Sequence, residues 1–107
     1  NWAFGSDILY RGGESQGRQL AKLARFMSPL SALHRATGAA GRLLALSGAR
    51  APYDGRLGVI AEGALADLLV IDGDPEQRLD WLDDRASLRL IMKGGRIFKN
   101  ELSEDAI

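Results

Sequence analysis

Three groups of side chains in this 107-residue sequence could do chemistry, and the first is a single carboxylate. Asp7 follows a short apolar stretch, Trp2–Phe4, and the polar pair Gly5–Ser6. We predict that Trp2–Phe4 is a brief buried strand. A carboxylate directly after such a strand is where an α/β barrel would place a ligand or a general base. A turn aspartate that bonds its own backbone has the same local sequence, and from these residues alone it is the more common case.

The second and third groups give weaker signals. His34 is the only histidine and the chain has no cysteine, so no His-x-His, His-Glu-x-x-His or thiolate zinc site can form from this sequence. We expect His34 to be a packed or surface side chain of a helix. Acids between Asp72 and Asp83 have the spacing of a calcium loop, but Gln77 replaces the required glycine and Pro75 stands at position four. We expect those acids to end a strand.

Composition and charge exclude several classes of protein. The 14 basic and 14 acidic side chains give a formal net charge of +0. We therefore expect no nucleic-acid or anionic-membrane partner, since both favour an excess of Lys and Arg. No apolar run approaches the roughly 20 residues that span a bilayer, and the first residues do not resemble a signal peptide, so we expect a cytoplasmic protein. The chain begins at Asn1, which suggests that it has been processed or excised.

Apolar periodicity predicts helices in the first half of the chain. Between Ser15 and Leu46, apolar residues recur at the i, i+3, i+4 spacing of an amphipathic helix. Ser28 and Pro29 indicate a new helix N-terminus, because serine can cap it and proline fits the first helical position. Thr37 could cap a further turn or two. We predict two or three helices in this region.

The second half has the features of short strands. We predict strands at Leu57–Ile60 and Leu65–Ile71, and a hairpin over Leu88–Lys99 whose turn is Gly94–Gly95. The polar segment Glu76–Arg85 between them contains a few apolar anchors and is expected to be a short helix or an ordered loop. Helices first and strands afterwards indicate an α+β chain rather than an alternating βαβ series.

Several sequence segments, taken in order, resemble the C-terminal part of a metal-dependent amidohydrolase. They extend from Phe4 to Asn100, and their order and spacing carry the resemblance more than any single motif does. The segments are Phe4–Asp7, Met27–Leu33, Ala36–Thr37, Ala39–Ala40, Gly58–Ile60, Glu62–Gly63, Ala66–Pro75 and Ile91–Asn100. They are most similar to the imidazolonepropionase-like branch, which includes Xaa-Pro dipeptidase (prolidase)-like enzymes.

The resemblance implies a fold class and a division into domains. The chain would be an α+β fragment: the last strand and C-terminal helices of a (β/α)8 TIM barrel, followed by the C-terminal strands of a small β-sandwich. Residues 1–47 would end the barrel, with Trp2–Phe4 as its eighth strand. Residues 48–100 would belong to the sandwich, and 101–107 would be a frayed tail. A barrel of this type needs about 250 residues, so 107 would be only part of one.

The resemblance also assigns roles to particular residues. Asp7 matches the family's aspartate after the eighth strand, a catalytic residue that binds metal and takes the proton of the bridging water. Asp67 and Lys93 fall in the sandwich segments and are expected to be structural. The family's other ligands, most of them histidines, are missing from this sequence. We therefore expect one or two divalent ions, zinc by preference, in the full-length parent, and none bound stably by this chain alone.

Two functions remain open at this point. In the first, the parent hydrolyses C–N bonds of amides, Xaa-Pro dipeptides or cyclic amides, and this chain is inactive alone. Its partner would then be the remainder of the barrel or a second copy of this chain. In the second, the chain is a non-enzymatic interaction or oligomerisation module that uses the helical faces a barrel would otherwise cover, since exposed apolar patches usually mark interfaces.

Overall fold

The structure, a computed structural model, describes residues 2–5 and 16–102. Three α-helices come first: α1 at Gln16–Lys22, α2 at Pro29–Ala36 and α3 at Gly38–Ala45. Three strands follow: β1 at Leu68–Ile71, β2 at Leu88–Lys93 and β3 at Arg96–Asn100. Short 3₁₀ turns occupy Leu23–Arg25, Gly48–Arg50, Asp80–Asp83 and Arg85–Ser87. The predicted α+β order, with helices before strands, is confirmed.

Helix α2 begins where the sequence indicates, but Thr37 does not cap the helix that follows it. Ser28 is extended and its hydroxyl accepts a hydrogen bond from Ser31 N at 3.2 Å, with Pro29 at the first position of α2. Thr37 lies between α2 and α3, but its hydroxyl donates to Leu33 O at 2.7 Å, so the side chain caps the end of α2 and not the start of α3. Among the described residues, no helix combines the length and the apolar character needed to cross a membrane.

The strands form one antiparallel sheet in the order β1-β2-β3. Gly94 and Gly95 have φ of 58° and 79°, the positive values that a type I′ hairpin turn requires, so the predicted hairpin is confirmed. Asp67 Oδ1 accepts from Gly94 N at 2.7 Å, and Gly95 N donates to Ala66 O at 3.0 Å. These bonds tie the start of β1 to the hairpin turn, which is the structural role expected for Asp67.

The core joins the helices to the sheet through the polar segment between β1 and β2. Leu79 and Trp81 are 1% and 7% exposed, and they pack on Ala32 of α2. Ile71 of β1 and Leu88 of β2 contact the same cluster from the sheet side. The indole Nε1 donates to Arg78 O at 2.8 Å, so the one polar atom of the buried tryptophan ring has a partner. The segment expected to be a short helix or ordered loop is thus the centre of the core.

The prediction of a strand at Trp2–Phe4 is wrong for this chain. Residues 2–5 have no strand assignment, and Phe4 N donates instead to Arg35 O, at the end of α2, at 3.0 Å. The Arg35 guanidinium lies 4.6 Å from the centre of the Trp2 ring. A β-strand needs a neighbouring strand to complete its hydrogen bonds, and within the described residues none lies beside this segment.

The other differences lie in the predicted sandwich segment. Leu57–Ile60 is irregular and not a strand, because Gly58 has φ of 79°, which is incompatible with extended backbone. The strand predicted at Leu65–Ile71 begins only at Leu68, since Asp67 N bonds back to Leu65 O at 2.9 Å and turns the chain. Within residues 2–5 and 16–102 the strands form a single sheet, so a pair of facing sheets is not seen.

We predict that Trp81→Ala destabilises the chain by about 3–5 kcal/mol, because the substitution removes the largest core side chain and leaves a cavity. That loss is a large fraction of the stability of an ordinary domain. Urea unfolding followed by far-UV circular dichroism measures it. Phe26→Ala is the control, since Phe26 is 82% exposed, and it should change the unfolding free energy by no more than about 0.5 kcal/mol. Equal effects of the two substitutions would contradict this description of the core.

Candidate functional site

Asp7, the residue singled out by the sequence as catalytic and metal-binding, lies outside the described residues. Its role therefore stays a prediction. The structure does describe where the chain enters that segment. The Phe4 amide is bonded to the end of α2, and Arg35 Nη1 donates to Trp2 O at 3.3 Å. Residues 2–5 are thereby held against α2.

His34 lies on a helix, as predicted, and is exposed on α2, but its partner could not be inferred from the sequence. Its Nε2 is 3.1 Å from Nη2 of Arg42 on α3. A guanidinium can only donate, so this contact assigns Nε2 as the acceptor and places the proton of a neutral ring on Nδ1. The ring also sits close to Gly38, where an added Cβ would be 3.2 Å from Nδ1. His34 is therefore held between the start of α3 and Arg42.

A cavity of about 480 Å³ lies between α3, the end of α2 and residues 51–59; we name it the α3 cavity. Its volume is within the range of roughly 300–1,000 Å³ that is usual for small-molecule sites. The polar lining residues are His34, Thr37, Arg42, Tyr53 and Arg56, and the others are small or aliphatic. It was not predicted, because no motif links residues 34–45 with residues 51–59.

Two glycines let residues 57–58 lie directly on α3 and so form one wall of the α3 cavity. A Cβ at Gly41 would overlap the carbonyl group of Leu57, and a Cβ at Gly58 would overlap the carbonyl group of Thr37. Gly58 additionally needs its positive φ of 79°. The spacing of the wall from the helix is therefore set by backbone-to-backbone contact, which larger residues at these positions would prevent.

The described residues do not fit a divalent metal centre. No three His, Cys, Asp or Glu side chains in that part of the chain are grouped so that they could hold an ion, and its histidine already contacts Arg42. Two of the acids between Asp72 and Asp83 have other partners in the fold. Asp74 Oδ1 accepts from Glu76 N at 3.0 Å, and Asp83 pairs with Arg18 at 2.9 Å. Asp72 and Asp74 come directly after β1, as expected of acids that end a strand, whereas Asp80 and Asp83 lie in the 3₁₀ turn Asp80–Asp83.

The fold is similar to part of a larger hydrolase. A crystal structure of an amidohydrolase matches with a TM-score of 0.76 and 34% identity, covering 94% of this chain and 23% of that chain. A crystal structure of an uncharacterized protein matches with a TM-score of 0.73 and 32% identity, covering 92% of this chain and 23% of that one. No protein-family model matches, and no curated protein does. The chain thus spans about a quarter of each solved chain, and its fold is that of one part of an amidohydrolase-like structure.

We predict that Gly58→Ala destabilises the chain more than Gly63→Ala does. Both glycines have left-handed φ, 79° and 84°, so each alanine carries a backbone strain of about 1–2 kcal/mol. Only the Cβ at position 58 meets the Thr37 carbonyl, whereas position 63 has open space. The collision should add about 1–3 kcal/mol, as overpacking does. Urea unfolding of the two variants checks this, and equal losses would show that residues 57–58 do not rest on α3.

Proposed function

We propose that this chain is the C-terminal part of a metal-dependent amidohydrolase that hydrolyses C–N bonds. The observation that carries the proposal is the 34% identity, with a TM-score of 0.76, to a crystal structure of an amidohydrolase over 94% of the chain. The ordered sequence segments between Phe4 and Asn100 support the same class. Because the chain spans 23% of that structure, most of the catalytic apparatus would lie in the rest of the parent.

Asp7 would be the contribution of this chain to the chemistry. A carboxylate next to the attacking water can accept its proton and later deliver that proton to the leaving nitrogen, which is general acid–base catalysis. In the proposed parent Asp7 would also be one ligand of one or two divalent ions, zinc by preference. The substrate class would be an amide, an Xaa-Pro dipeptide or a cyclic amide.

The small number of metal-ligating side chains explains why we expect the chain to be inactive alone. A hydrolytic zinc centre ordinarily uses three protein ligands, commonly two or three of them histidines. This sequence has one histidine and no cysteine, and His34 lies on α2 in contact with Arg42. The remaining ligands would therefore come from the rest of the parent. The partner we propose is the remainder of the barrel or a second copy of this chain.

The exposed apolar side chains support the proposal that the chain is one part of a larger protein. Phe26, Leu46 and Ile60 are 82%, 77% and 89% exposed. Residues paired across antiparallel strands share a face of the sheet. Leu68, Met92 and Ile97 align on one face, whereas the other face combines Leu69 and Ile91 with Lys99. Leu69 and Ile97 are 47% and 50% exposed, so apolar side chains of the sheet remain uncovered in the described part of the chain.

The same surface favours a second candidate function, a non-enzymatic interaction module. In the described part of the chain, the outer edges of β1 and β3 have no strand beside them, and such edges readily pair with another chain. Exposed aromatic and aliphatic side chains together with open edges are the features of a chain that associates. This function would need no residue of a catalytic site.

We predict that Asp7→Asn in the longer protein lowers kcat on its amide substrate by roughly a thousandfold, within the usual range for loss of a general base. Asp67→Asn is the matched control, because its remaining carbonyl oxygen can still accept from Gly94 N. It should leave kcat unchanged. The isolated chain should show neither amidase activity nor stoichiometric zinc by elemental analysis. One tightly bound zinc ion per isolated chain would overturn the proposal.

Light scattering distinguishes the two candidate functions. A part of an enzyme should associate weakly and without fixed stoichiometry when isolated, and should form a one-to-one complex with the remainder of the parent, since its apolar faces are then covered. An interaction module should form a defined homodimer whose dissociation constant can be measured from the concentration dependence of its mass. Ile60→Ser should weaken association in either case, and Glu62→Ser, a nearby exposed polar position, should not.

A further inference from the structure

The charged side chains that line the α3 cavity are both positive, whereas Asp54 of the same segment does not line it. Its lining contains Arg42 and Arg56, and none of its described lining residues is Asp or Glu. The ion pairs of residues 2–5 and 16–102 are Arg18–Asp83, Arg78–Asp80 and Lys99–Glu101, so neither arginine of the cavity is neutralised there. In a chain of zero net charge, two arginines at one cavity create a local positive potential that attracts an anion.

Arg42 is held in place by a partner that cannot neutralise it. Its hydrogen bond to His34 Nε2 uses one N–H of Nη2, and a guanidinium has five such donors. The bond to the imidazole orients the planar group while leaving other donors for a ligand. A carboxylate is the group whose two oxygens match the fork of a guanidinium in a bidentate pair.

The rest of the wall indicates the kind of anion. Leu44, Leu57 and Val59 line the cavity beside the ring of Tyr53. Such a surface favours a ligand with an apolar body over a fully hydrated inorganic ion. The volume of about 480 Å³ accommodates a small organic molecule. The Gly41 and Gly58 contacts fix residues 57–58 on α3, so this wall is formed before a ligand arrives.

We propose that the α3 cavity binds a small organic carboxylate, with Arg42 and Arg56 on the carboxylate and the aliphatic residues with Tyr53 around its apolar body. The site uses no residue of the proposed hydrolytic chemistry and does not depend on Asp7. The proposal therefore stands or falls separately from the assignment to an amidohydrolase.

The probe for this site is phenylacetate, with phenylacetamide as its neutral counterpart. Phenylacetate titrated into the ¹⁵N-labelled 107-residue chain should give saturable amide shifts confined to residues 34–45 and 51–59. Phenylacetamide has the same shape without the charge and should bind roughly tenfold to a hundredfold more weakly, the effect of losing one charge-assisted hydrogen bond. Absence of saturable shifts, or equal binding of the two compounds, would overturn the proposal.

Charge-removing variants test the two arginines separately. Arg42→Gln and Arg56→Gln should each weaken phenylacetate binding roughly tenfold or more, for the same reason. Arg25→Gln, an exposed arginine that does not line the cavity, removes the same charge and should leave binding unchanged. If the Arg42→Gln variant no longer gives the spectrum of a folded protein, Arg56→Gln alone is compared with Arg25→Gln. Equal weakening in all variants would show a general charge effect and no site.

Discussion

The packing of Trp81 and Leu79 on Ala32 is the interaction on which the rest of the structure depends. The helices come from the first half of the chain and the sheet from the second, and this cluster is where α2, β1 and β2 meet. It lies in a segment that is polar in sequence, so a few apolar side chains connect the two halves. Gly73 makes the arrangement possible, since a Cβ there would lie 2.9 Å from Cδ1 of the indole.

That core is small for a chain of this length. The buried apolar residues of the described part are Ala32, Ala39, Leu79, Trp81 and Leu90, and two of these are alanines. Burial of larger side chains supplies most of the free energy that offsets conformational entropy. In the described part of the chain, about half of the surface of Leu69 and Ile97 on the sheet, and of Leu30 and Leu44 on the helices, is exposed. The same physical deficit is expected of one part of an enzyme whose other parts complete the core.

The elements that local sequence determines were predictable, and those set by distant contacts were not. Ser28–Pro29 and Gly94–Gly95 carry their own backbone preferences, so the start of α2 and the hairpin turn followed from sequence. Leu57–Ile60 has strand-like composition, but its conformation is decided by the contact of Gly58 with Thr37. Trp2–Phe4 likewise bonds to α2 and not to a strand. In the candidate site, the place of His34 on a helix was predicted, whereas its contact with Arg42 depends on how α2 and α3 pack together.

The contacts of residues 57–58 with Thr37 and Gly41 were not predictable from the sequence, and the same contacts form the α3 cavity. Had Leu57–Ile60 joined a sheet, its backbone groups would be paired and Arg56 would be carried away from α3. Resting on Gly41 instead, the segment keeps Arg56 and Val59 beside Arg42 and His34. The two arginines and the apolar wall are therefore brought together by one feature, the close approach of residues 57–58 to the backbone of residues 37–41. Arg42 lies on α3 and Arg56 in the segment after it, so their position at one cavity can be inferred only from the folded chain.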